Sequence, residues 1–243
     1  MIKLKKGYVM AHNISSVELG KRISALSNDV VNANIHWRMR CDLIDSLQKH
    51  PLVGAQSNTF WHYTLKAHAT STIINLCRIF EKRQDTLNLL EYLKTIQNNP
   101  NLFETPAFKK RLADNEFVNS LALETRCPDK SILDSDIKSC SANDSLVKKL
   151  LDYRGDFFAH KNADIAIGNK LVQPEQLPSN EDISALLERA ITIFNRYSNL
   201  FQAVTYSTSV IGKDDYKFIF SCVTSAVEES RRKAQEFLAN NEN

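Results

Sequence analysis

The stretch "SNEDISALLERAITIFNRYSNLFQAV", residues 179–204, decides the fold. Its opening "SNED" has the form of a helix N-cap followed by acidic first-turn residues. Ile183, Leu186, Leu187, Ala190, Ile191, Phe194, Tyr197, Phe201 and Val204 then recur at three- and four-residue steps, which places them on one broad stripe of a helix. A stripe of that width has to be covered by other helices, so the chain reads as all-α if its neighbours follow the same period.

They do. A first helix is expected from about Ser15 to Lys49, ending before Pro51, with Val17, Ile23, Leu26, Val30, Ile35 and Trp37 on its apolar side. A second is expected from about Ser57 to Glu81, where Trp61, Leu65, His68, Thr72, Leu76 and Ile79 share a stripe with Ile73, Cys77 and Phe80 beside it. On that helix Phe60 and Trp61 read as core aromatics, His68 as a hydrogen-bonded core histidine and His62 as a surface one. A last long helix follows "IGKDD" and carries Phe218, Ile219, Cys222, Val223, Ala226 and Val227 before the polar "EESRRKAQE".

Between Lys82 and Asn143 the period weakens. "LNLLEYLKTIQ" is one short helix, while "NNPNLFETP", "RCPDK" and "SCSAND" are turn chemistry between shorter pieces. The expected architecture is a single all-α domain over residues 1–243, with 82–143 as an elaborated connection between core helices and 240–243 as a disordered tail. Long connections often carry function, so 82–143 is where substrate or partner selection is expected.

Composition narrows the function classes. Of 243 residues, 43% are apolar and 24% charged, the balance of a soluble globular protein. A net charge of +3 is too small for nucleic-acid binding by bulk electrostatics alone. The five cysteines form no CxxC pair and join no histidine at zinc spacing, which points to reduced thiols, with Cys77 and Cys222 as small core residues. Neither an export signal nor a run of about 18 apolar residues is read, so a cytoplasmic protein without membrane contact is expected. Glycine-rich phosphate loops, HExxH and nucleophile elbows are absent from the sequence.

The chemistry concentrates in "LLDYRGDFFAHKN", residues 150–162. On a helix beginning near Asp144, Val147, Leu150, Leu151 and Phe158 form one face and Arg154 falls in the middle of it. A permanent charge on an apolar face needs an anion or several acceptors to meet it. His160, six residues on, lies about 120° around and about 9 Å along from Arg154 on a regular helix. The two converge only if the helix ends or distorts around "FFAH", or if a second copy brings its own pair across a two-fold axis.

"RGDFFAH" resembles the Arg-x4-6-His motif of the HEPN superfamily of all-α domains. "NTFWHYTLKAHATSTIINLCRIFEK", followed much later by "YRGDFFAHKNAD", is similar to its AbiU-type branch, associated with abortive phage infection. The resemblance covers about residues 13–206. It implies a homodimer in which both motifs line one cleft and cut RNA without a metal or any cofactor. His160 would then move protons near neutral pH, and Arg154 would hold the scissile phosphate. Gly155 departs from the pattern, since the superfamily often carries Asn, Asp or His after the arginine; Asp156 is a further candidate for orienting His160. Lys161 and Asn162 are candidate contacts to the RNA backbone. An antitoxin or other protein partner also fits such systems.

Two other readings stay open at this stage. One is a non-catalytic module of the same fold that binds a protein partner or a nucleotide, the reading that Gly155 favours. The other is a helical scaffold in which Arg154 pairs with a carboxylate of a neighbouring helix and His160 sits favourably near a helix C-terminus.

Overall fold

The computed structural model describes residues 13–159, 165, 167, 171, 173–209, 212 and 214–241, with the backbone alone at 158 and 159. Ten α-helices account for most of them, and no strand occurs among the described residues. The order is α1 (Ser16–Lys49), α2 (Pro51–Gln56), α3 (Asn58–Ile79), α4 (Leu89–Asn98), α5 (Thr105–Arg111), α6 (Val118–Leu121), α7 (Lys130–Ser139), α8 (Ser145–Arg154), α9 (Asn180–Gln202) and α10 (Tyr216–Asn241). The all-α class expected from the apolar period is the observed one. A single 3-10 turn at Pro100–Phe103 and another at Pro174–Gln176 carry prolines that open short turns rather than long helices.

Two compact units divide the chain, and each is interleaved in sequence. The first takes the described residues of Met1–Val30 and Leu76–Tyr206, the second those of Val31–Asn75 and Ser207–Asn243.

In the first unit α9 is the central stripe. Ser179 accepts from the Asp182 N–H and the Asp182 carboxylate accepts from the Ser179 N–H, a capping box that satisfies two orphan donors at once. Leu186, Ala190, Phe194, Tyr197 and Phe201 are all buried, as the stripe requires. Tyr92 and Phe194 rings meet with centroids 6.0 Å apart, and Phe103 and Phe201 at 5.5 Å. Burying such aromatics supplies a large share of the apolar area that folding removes from water.

The connection 82–143 is built into this core. Leu89, Tyr92, Leu93 and Ile96 of α4, Phe103 and Phe108 are each buried to 1% exposure or less. Its arginines finish the C-terminal end of α9, where the last carbonyls have no helical partner. Arg111 Nε donates to the Phe201 carbonyl at 2.8 Å and its guanidinium stacks 3.6 Å from the Phe201 ring. Arg126, 3% exposed, donates through Nη1 to the Asn199 carbonyl at 3.1 Å and lies 4.7 Å from the Phe108 ring. Both cations sit at the negative end of the helix dipole. Asp136 of α7 accepts from Arg196 and, at 2.7 Å, from the Tyr197 hydroxyl. The chain leaves α9 through Ala203, which takes the left-handed φ of 54° common at helix C-termini.

In the second unit Leu43, Val53, Trp61 and Phe220 make a small buried cluster, with Leu47, Leu65, Tyr216 and Val223 packed against it. The Trp61 indole N–H donates to the Val53 carbonyl at 3.2 Å, so burial leaves its polar edge satisfied. Tyr216 anchors the start of α10 by donating to the Asp42 carbonyl at 3.1 Å. His68 is half-buried, and its Nδ1 lies 2.9 Å from Nδ1 of His36 on α1.

Several expected core positions are exposed. Val17, Phe60, Phe218 and Ile219 face solvent, and so does Cys222. Phe220 is the one buried residue of α10, and every described residue from Glu228 to Asn241 is exposed. The helix continues through residues 240 and 241, where a disordered tail was expected; 242 and 243 lie outside the described residues.

Candidate functional site

The site forms where α3 and α8 end side by side in the first unit. Helix α8 starts at Asp144, whose carboxylate accepts from the N–H groups of Leu146 and Val147 at 3.0 and 3.1 Å. Arg189 of α9 pairs with the same carboxylate at 2.9 Å, and Lys149 reaches Asp182 at 2.7 Å. Val147 and Leu150 are fully buried, which fixes the rotation of the helix about its axis. Arg154, one turn beyond Leu150, is thereby aimed at the end of α3.

The group that meets it there is Glu81. Arg154 Nη1 donates to Glu81 Oε2, while Glu81 Oε1 accepts from the Lys82 N–H at 2.9 Å. The Glu81 side chain is 9% exposed and that of Arg154 37%, so the carboxylate is the buried member of the pair. Burial pushes the Glu81 pKa up, but its hydrogen bond to Arg154, those from backbone N–H groups and the arginine's charge hold it below the usual glutamate range. Glu81 was missing from the sequence reading. The available signal was an acid placed right after Phe80 at the C-terminal end of a helix, the end whose dipole disfavours it.

Beneath the pair lies Cys77, whose thiol burial pushes up to about 12, so that it stays protonated. Tyr153 packs nearby, and burial raises its phenol as well.

Immediately after Arg154 the helix widens into a π-turn over Gly155–Ala159. A distortion here is one of the two routes expected for bringing Arg154 and the following histidine together, and π-turns recur at functional sites. Gly155 itself has φ −58° and ψ −46°, ordinary right-handed values, and a Cβ there would meet nothing within 4 Å among the described residues. Asp156 is half-buried in the π-turn. His160, Lys161 and Asn162 lie outside the described residues.

Along one side of α8 and the π-turn runs a cleft of about 680 Å³. Lys82, Lys148, Lys149, Asp152, Tyr153, Asp156 and Phe157 are among its walls. The Tyr153 and Phe157 rings lie 5.0 Å apart at an interplanar angle of 42°. Lys148 pairs with Asp152, and Lys82 shows no ion pair among the described residues. No group of three or more His, Cys, Asp and Glu side chains gathers at metal-binding distance among the described residues. Nor is any described helix long and apolar enough to cross a membrane.

An all-α bundle with an arginine held by a buried glutamate at the mouth of a π-turn defines the class of domain. The family model for HEPN domains described as AbiU2 matches residues 16–219, well over half of the chain. The chain therefore belongs to the AbiU2 family of HEPN domains, the abortive-infection type. No curated protein and no solved structure matches it.

Proposed function

We propose that the protein is a metal-independent endoribonuclease acting in phage defence or a toxin–antitoxin-like system, working in the cytoplasm as a homodimer whose two motifs line one cleft. The observation that carries this reading is the state of Arg154. Glu81 engages one end of its guanidinium, leaving a side chain 37% exposed at the start of the π-turn. An arginine fixed by one carboxylate and still open to solvent is pre-organised to receive a phosphate through its remaining N–H donors.

The reaction proposed is the one that the HEPN resemblance implies. The ribose 2′-hydroxyl gives its proton to His160 of one copy as its oxygen bonds to the adjacent phosphorus. The phosphorus–O5′ bond breaks, and O5′ takes a proton from His160 of the other copy, leaving a 2′,3′-cyclic phosphate and a 5′-hydroxyl end. Arg154 offsets the charge that builds on the non-bridging oxygens.

The test is incubation of purified protein with total RNA in excess EDTA, wild type against His160→Ala. Cleavage with cyclic-phosphate ends, lost in the variant, is expected. A second reading, a non-catalytic module that binds a protein partner or a nucleotide, is favoured by Gly155, which offers no side chain beside the arginine. It predicts intact RNA in both samples.

A further inference from the structure

We infer that the cleft beside α8 is a subsite for an unpaired nucleotide of RNA, with Phe157 as the surface on which its base stacks and Lys82, Lys148 and Lys149 as cations for the flanking phosphates. The inference rests on the RNA-cleaving reading for the identity of the ligand, and it assigns Phe157, an unspecified spacer position of the Arg-x4-6-His motif, together with three lysines outside the motif.

Three observations carry it. Phe157 sits in the π-turn with 42% of its surface exposed, although the residues of α8 before it bury Val147 and Leu150 completely. Its ring lies 5.0 Å from that of Tyr153, tilted by 42°, and both rings line the cleft. An exposed aromatic held by such a neighbour offers a surface to a base, and base stacking on such rings is tolerant of sequence.

The second observation is charge. The same walls bring three lysines together; among the described residues Lys148 pairs with exposed Asp152 and Lys149 with the more buried Asp182. An exposed pair such as Lys148–Asp152 contributes little and exchanges readily for a phosphate. Asp152 and Asp156 oppose the lysines, leaving a net charge of about one positive unit across these five side chains, enough to hold a backbone locally but not to condense RNA in bulk.

The third is size and position. A cleft of about 680 Å³ falls in the range of about 300–1,000 Å³ typical of small-ligand sites, and it is bordered by the residues that immediately precede and follow Arg154. Phe157 follows Arg154 by three residues in the π-turn, about one helical turn, so a base stacked there lies within a short span of chain of the group proposed to hold the scissile phosphate. Paired bases cannot enter, because in a duplex their faces are covered by their neighbours. The subsite thus selects single-stranded RNA.

The experiment uses the full chain carrying His160→Ala, in EDTA, with a fluorescein-labelled unstructured 15-nucleotide RNA followed by anisotropy, and the same strand annealed to its complement. Unpaired RNA should bind at least tenfold tighter than the duplex. Phe157→Leu, which keeps the apolar bulk without the ring, should weaken binding about five- to a hundredfold, while Phe157→Tyr restores it. Lys82→Gln should lower the slope of log Kd against log salt by about 0.7, the value for one phosphate contact to a single strand. Circular dichroism melts of each variant confirm that the fold is kept. Equal affinity for the duplex, no binding of unpaired RNA, or unchanged binding by Phe157→Leu overturns the subsite. Cleavage by the wild type alongside unchanged Phe157→Leu binding would remove the subsite and leave the nuclease; selective binding without cleavage would do the reverse.

Discussion

Glu81, at the end of α3, holds Arg154, at the end of α8, across 73 residues of sequence. The pair answers the question posed by an arginine on an apolar face: a nearly buried carboxylate, itself tied to the Lys82 N–H, meets the guanidinium.

Replacing Glu81 by glutamine keeps the shape and removes the charge. Glu81→Gln should cost about 1–2 kcal/mol at pH 7, the scale of a charge-assisted hydrogen bond with one partly exposed member. Because the folded pKa lies below the ordinary value of about 4.5, the pair's contribution is complete above that value and is lost as pH falls through the depressed one. Urea melts of wild type and variant should therefore converge as pH falls from about 4.5 through the depressed folded value. A constant gap across pH would show that charge is not what the pair contributes.

At Gly155 the backbone is helical, and no described residue comes within 4 Å of where a Cβ would stand. Gly155→Ala should raise stability by about 0.5–1 kcal/mol, since it removes freedom from the unfolded chain without a clash. Gly155→Asn fits the same space and restores a side chain common in the superfamily at that position. It should increase RNA cleavage by the end-chemistry assay, and a fall in cleavage would mean that the bare glycine is itself required.

The five thiols should separate into classes. Cys127 and Cys222 are exposed and should react with a disulfide reagent within minutes. Burial pushes Cys77 and Cys140 up to about 12, so both should react only on unfolding. Cys41, half-buried and with its thiol raised by burial, should follow the first two more slowly. Mass spectrometry after a brief pulse of reagent reads the order, and early labelling of Cys77 would contradict its packing under the Glu81–Arg154 pair.

His36 and His68 bring their Nδ1 atoms to 2.9 Å, within hydrogen-bond distance. Burial, and then the neighbouring His36, lower the His68 pKa below 6.5. The folded state thus resists a proton that the unfolded chain accepts. Stability from this pair is complete above about pH 6.5 and declines as pH falls toward the lower folded value. Thermal melts between pH 7.5 and 5 should show the decline in wild type and a flatter profile in His68→Gln. Equal slopes would dismiss the pair as a source of acid sensitivity.

Much of the fold was legible because helical period survives any tertiary context. The N-caps at Asp144 and Ser179 and the stripe from Ile183 to Phe201 fall where the residues place them. Period marks a face without saying what covers it, and that is why Val17, Phe60, Phe218 and Cys222 were expected inside and stand outside. Glu81 and His36 escaped for a different reason. Each acquires its role from a partner 73 or 32 residues away, and no local pattern encodes that distance. A distortion around "FFAH" was one of two routes by which Arg154 and His160 could converge, and a π-turn lies there.

The far end of α10 carries one more consequence, and it is kinetic. From Glu228 to Asn241 every residue is exposed, and side-chain pairs such as Glu229–Lys233 and Arg232–Glu236 run along the helix. Exposed pairs at that spacing add only a few tenths of a kcal/mol each. Segments of this length are marginal in water and exchange between helix and coil in about a microsecond or less. Amide protons there should exchange with solvent orders of magnitude faster than those of α9, and the last fourteen residues of the helix behave as a rod about 21 Å long that repeatedly melts and reforms while Phe220 stays docked.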